Sequence, residues 1–120
     1  MTGFPLGDAQ TITVTIDCAA KAVYDAVRDP MRLSQWASGV EAAVVITFAP
    51  DNEFGILDHE VYLPDGRRVK VPMRVVPLRG RSVLSLTLFR QPGATDDDFI
   101  DDAQWVLKDL ESLKTLLESY

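Results

Sequence analysis

The first regular pattern along the chain is a strict alternation of polar and apolar residues from Thr11 to Ile16. Period two predicts a half-buried strand with Ile12, Val14 and Ile16 toward a core. Asp17 is placed to cap the helix that follows. In that helix Ala20, Val23, Tyr24 and Val27 recur at the spacing of one apolar stripe. Pro30 predicts the start of a second, short helix over about 31–36, because proline suits the first helical position and Asp29 can accept from the free N–H groups. The period then returns to two. Strands are predicted over 40–48, 54–63, 67–76 and 82–89, joined by turn signals at 49–52, 64–66 and 78–80. Val69, Val71, Met73 and Val75 share one face of the third of these runs. Short turns between sequential strands predict an antiparallel meander.

The cleanest periodicity comes last. Phe99, Ala103, Val106, Leu110, Leu113, Leu117 and Tyr120 follow one another at alternating spacings of four and three. Thr95 is placed to cap this helix, with Asp96, Asp97 and Asp98 at the positive end of its dipole. A helix over 95–118 is about 36 Å long, and a ten-residue strand about 33 Å. One helix can therefore run the length of the sheet and cover its apolar face, while the two short helices close one end. The space left between helix and sheet is a natural place for a ligand pocket. The expected organisation is a flexible leader over 1–9 and one α+β domain over 10–120.

Composition narrows the function classes. The 120 residues are 47% hydrophobic and 25% charged, ordinary values for a globular chain with one core. The net charge of -6 disfavours nucleic acid and anionic membranes as main partners. No window is apolar enough for a membrane span. A single cysteine, Cys18, cannot form an internal disulfide, which points to a cytoplasmic protein. A catalytic thiol at Cys18 is the less favoured alternative, since no histidine lies near it in sequence. Arg67, Arg68, Lys70, Arg74, Arg79, Arg81 and Arg90 fall in the strand-rich middle. They read first as solvated faces, and alternatively as an anion-attracting strip.

The order of strand, two short helices, meander and long terminal helix resembles the helix-grip fold of the START, Bet v 1 and polyketide cyclase superfamily, SRPBCC. The segment 16–30 (IDCAAKAVYDAVRDP), with Leu33 and Trp36, resembles the opening of that family. The segments 54–66 (FGILDHEVYLPDG), 72–77 (PMRVVP), 87–93 (TLFRQPG) and 105–114 (WVLKDLESLK) resemble a bacterial subgroup. About five strands are expected here, against six or seven in fuller members. The resemblance implies binding of a small hydrophobic or amphipathic molecule between sheet and helix. It implies no universal catalytic motif, so no catalytic residue carries over.

The residues expected to line such a site are Trp36, Leu57, His59, Val61, Val71, Met73, Val106 and Leu110. His59 is the only histidine and the one ordinary acid/base group near neutral pH. It shares its phase with Leu57, Val61 and Leu63 and is expected to point inward, with Asp58, Glu60 and Tyr62 outward. A cyclase- or dehydratase-type enzyme using His59 is one alternative to simple binding. A protein-interaction module of co-chaperone type with a filled core is another, and His59 itself reads alternatively as a core or rim histidine satisfied by a hydrogen bond. Trp36 either gates a pocket mouth or is core. Arg74 and Arg90 either bind an anion or pair with acids such as Asp58 and Glu60. No cofactor is expected, and no metal, because one histidine and one cysteine cannot build a zinc site. A homodimer stays open.

Overall fold

The computed structural model describes residues 7–37 and 45–119. The elements are β1 (Ala9–Ile16), α1 (Ala20–Arg28), α2 (Pro30–Trp36), β2 (Val45–Phe48), β3 (His59–Tyr62), β4 (Arg68–Val71), β5 (Met73–Leu78), β6 (Arg81–Phe89) and α3 (Asp96–Glu118). The first six residues of the leader expected over 1–9 and the strand start over 40–44 lie outside the described residues, as does Tyr120.

Local chemistry accounts for the helix ends. Asp29 accepts from the Met31 N–H at 2.9 Å and caps α2. Thr95 and Asp98 form a reciprocal capping box at the start of α3, with both bonds at 3.1 Å. Asp17 does not cap α1. That position belongs to Ala19, which offers no side-chain acceptor. The Asp17 N–H instead bonds the Glu118 carboxylate at 2.7 Å. Lys114 adds a bond to the Thr15 carbonyl at 2.8 Å, so the last turns of α3 are fastened to the end of β1.

The strands form two antiparallel sheets, ordered β1-β6-β5 and β2-β3-β4. The expected single strand over 67–76 is two strands, giving six among the described residues. The break falls at Pro72, which has no N–H to donate to a ladder. On its far side the Asp58 carboxylate takes the Met73 N–H at 2.8 Å and pairs with Arg74. Main-chain bonds continue across the seam, from Leu57 to Met73 and from Val75 to Gly55, each 2.9 Å. The two sheets are thus one bent surface, hinged where a proline and a carboxylate replace regular pairing. Gly55 makes the close approach possible. Its φ is +73°, and a Cβ there would lie 2.1 Å from the Val75 carbonyl oxygen.

The two halves of this surface are covered unequally. On β1-β6-β5 the inward rows are Ile12–Leu86–Met73 and Val14–Leu84–Val75. Here α1 lies on β5 and β6, and α3 on β1 and α2. Ile16, Val23, Val27, Leu57, Met73, Val75, Leu84, Leu110 and Leu113 are buried together as the core. The α3 stripe is buried at Phe99, Leu110, Leu113 and Leu117 but only half-buried at Ala103 and Val106. The expectation that one helix covers the whole apolar face is therefore not met: α3 covers β1, and α1 covers β5 and β6.

Candidate ligand-binding cleft

The second half, β2-β3-β4, sets Phe48, His59 and Val71 in one cross-strand row and Ile46, Val61 and Val69 in the next. Residues opposite one another on an antiparallel ladder share a face. All six are half-buried; none is sealed away from solvent. On the reverse face, Thr47, Glu60 and Lys70 form one row and Val45, Tyr62 and Arg68 another, with the Arg68 guanidinium 5.2 Å from the Tyr62 ring centre. Within β3 the expected alternation is thus the alternation of the sheet, with Glu60 on the face opposite His59, while Asp58, just before the strand, gives its carboxylate to the Met73 N–H and Arg74.

A hollow of about 430 Å³ is lined by Phe48, His59 and Val71 together with Thr47, Asp58, Glu60 and Lys70. Two more border the apolar face. One, of about 290 Å³, lies between the helices and β2 and is lined by Val27, Arg28, Pro30, Leu33, Ile46 and Phe48. The other, of about 540 Å³, opens between the β3–β4 hairpin and the start of α3. Leu63, Val69, Asp98, Asp102 and Trp105 are among its walls.

The site residues expected from sequence divide into two groups. Trp36, Leu57, Met73 and Leu110 are core residues, and Val106 packs half-buried against that core. His59, Val61 and Val71 stand on the open apolar face. Phe48 belongs to the same site but was not singled out from sequence, although its place in the β2 alternation was available as a signal. Arg28 was also missed. It follows an apolar stripe at the last turn of α1, where a cation is ordinarily read as helix-end electrostatics. Arg90 is no ligand group here: it pairs with Asp96 at 2.7 Å and lies over the Phe99 ring at 4.9 Å. Arg74 is taken by Asp58.

His59 is held in one orientation. Its Nδ1 is 2.9 Å from the Leu57 carbonyl oxygen, so Nδ1 carries the proton and donates, leaving Nε2 as an acceptor. Its ring packs against Phe48 with centres 5.0 Å apart. Burial pushes the imidazole pKa below its ordinary value. The Leu57 carbonyl and the Asp58 charge oppose that shift without reversing it. The group is therefore neutral at pH 7. Among the described residues, no group of three or more His, Cys, Asp or Glu side chains is placed to hold a metal ion.

No family model matches the chain, and no curated protein matches it. Solved structures do. DynU16, a protein of the dynemicin biosynthetic locus, superposes with a TM-score of 0.75 at 18% identity over 94% of this chain. The chain spans 48% of DynU16. Ara h 8.0201 superposes with a TM-score of 0.66 at 13% identity, covering 93% of this chain and 98% of that one. A START superfamily protein from Mycobacterium smegmatis gives 0.62 at 14% identity, covering 94% and 99%. These likenesses establish the fold as the SRPBCC-like helix grip, an antiparallel sheet closed on a long C-terminal helix. At such low identity they establish the fold alone.

Proposed function

We propose that the protein binds a small hydrophobic or amphipathic molecule against the inner face of β2-β3-β4. The observation that carries this reading is the contrast between the two half-sheets. One is buried under helices, while the other presents six inward residues, five of them apolar, that no described helix seals. Covering such a face with an apolar ligand releases about 25 cal/mol per Å² removed from water. The half-buried free Cys18 accords with a cytoplasmic setting.

Titration with the neutral fluorophore N-phenyl-1-naphthylamine tests the reading. Saturable enhancement is expected, lost in Val61→Asp on the inner face and kept in Thr47→Asp on the outer face of the same sheet. Equal loss in both variants, or no saturable binding by the natural chain, refutes it.

A second reading rests on the neutral His59 with its free Nε2. Such a nitrogen can take a proton from a bound substrate, as a cyclase or dehydratase requires. Its sheet neighbours Phe48 and Val71 are apolar, Glu60 stands on the other face of β3, and the Asp58 carboxylate is engaged by the Met73 N–H and Arg74. No carboxylate from its own strand is thus positioned to orient it, and this favours binding over catalysis.

A further inference from the structure

We propose that the hollow between α1, α2 and β2 takes the anionic end of an amphipathic ligand, a carboxylate on a flat apolar body, with Arg28 binding the charge. This rests on the reading of the β2-β3-β4 face as a ligand surface and names the chemical class that surface selects.

The lining of this hollow is apolar except for one side chain. Val27, Pro30, Leu33, Ile46 and Phe48 supply walls, and Arg28 supplies a permanent cation. The guanidinium is centred 5.5 Å from the Tyr24 ring and 5.4 Å from the Phe48 ring. Its position is held by a 2.6 Å bond from Nη1 to the Ala49 carbonyl oxygen. Its side chain is 24% exposed, yet its ion-pair partner, Asp51, is 89% exposed and meets Nε at 3.3 Å. A carboxylate so fully in water neutralises little of the charge. The neighbouring Asp29 is occupied at the α2 cap and with Arg32. Nη2 has no hydrogen-bond partner among the described residues.

Comparison with Arg90 sharpens the point. Arg90 is similarly sheltered and similarly placed over a ring, but it has a close acid and borders a helix start that it serves structurally. Arg28 has the shelter and the rings without an equally close acid. A preorganised guanidinium with a free edge in an apolar hollow suits a carboxylate. Phe48 carries the site onward: its ring centre lies 5.4 Å from the Arg28 guanidinium and 5.0 Å from the His59 ring. A flat ligand anchored at Arg28 would lie along Ile46 and Phe48 toward the His59 Nε2.

The decisive comparison uses 2-naphthoate and 2-naphthalenemethanol, which share a body and differ in charge. Binding of each to the full chain is measured by calorimetry at pH 7. The acid is expected to bind about tenfold tighter or better, as a charge-assisted bond implies. Arg28→Gln is expected to erase this preference while leaving the alcohol within about twofold, and Arg28→Lys to retain part of it. Equal affinities for acid and alcohol, or a preference that survives Arg28→Gln, overturn the assignment of Arg28 but leave the cleft standing. Failure of both compounds to bind the natural chain overturns both. If Arg28→Gln does not fold by circular dichroism, the natural chain and Arg28→Lys decide the matter alone.

Discussion

The unequal cover of the two half-sheets makes a quantitative prediction with a matched pair of substitutions. Val75 and Val61 both point to the inner side of the sheet, but Val75 is 2% exposed and Val61 half-buried on the open face. Val→Ala removes the equivalent of two methylene groups at either site. At Val75 the transfer loss is about 1.6 kcal/mol, from about 0.8 per buried CH₂. The cavity left against Leu84 and α1 raises the cost to about 2–3 kcal/mol. At Val61 the same atoms are already partly hydrated and no closed cavity forms, so the cost stays below about 1 kcal/mol. The loss of strand propensity is common to both and largely cancels. Urea unfolding followed by circular dichroism, at fixed pH and with comparable slopes, measures the two values. Losses equal within about 0.5 kcal/mol would mean that the β2-β3-β4 face is packed like the core, and the cleft would not exist.

Three further outcomes test other parts of the argument. Gly55→Ala should destabilise by about 2 kcal/mol or more, since a Cβ at positive φ would meet the Val75 carbonyl; a neutral effect in thermal melts would refute the seam geometry. Thr95→Ala should cost about 1 kcal/mol through loss of the α3 capping box, and hydrogen exchange should quicken in the first turn of that helix before the rest. His59 makes stability fall on the acid side. Above about pH 6.5 it is neutral in both folded and unfolded chains and contributes no pH dependence. As pH falls below that value the unfolded chain takes up the proton first, so the folded state loses ground until its own lowered pKa is reached. His59→Gln should flatten that part of the stability profile, and a profile unchanged between pH 7 and 5 would show the imidazole to be unburied. In the natural chain, NMR titration of this single imidazole should give a midpoint below 6.5.

Much of the architecture was legible without coordinates because its causes are local. The alternation in β1 and β6, the proline opening α2, the threonine cap of α3 and the three-and-four spacing from Phe99 to Leu117 each act over a few residues. The same alternation places His59 on the face of Val61 and Val71, because the side-chain period of a strand is two whatever it pairs with. Pro72 stands inside the strand expected over 67–76 and marks where the structure divides it. What it divides into was decided elsewhere. Asp58, fifteen residues before Met73, supplies the acceptor for its N–H, and Gly55 admits the Val75 carbonyl. The membership of the site was likewise a tertiary matter. Leu57, Met73 and Leu110 carry the same apolar signature as Val61 and Val71. They became core, and the others became wall, only because α1 and α3 settle over the first half-sheet and leave the second open. Arg28 reads in sequence as the basic end of a short helix. It acquires an apolar hollow and the Phe48 ring because β2 returns beside it, whereas Tyr24 lies one turn back on the same helix. Periodicity records which face of an element is apolar, but what comes to lie on that face depends on segments far along the chain, and burial is a property of the pair.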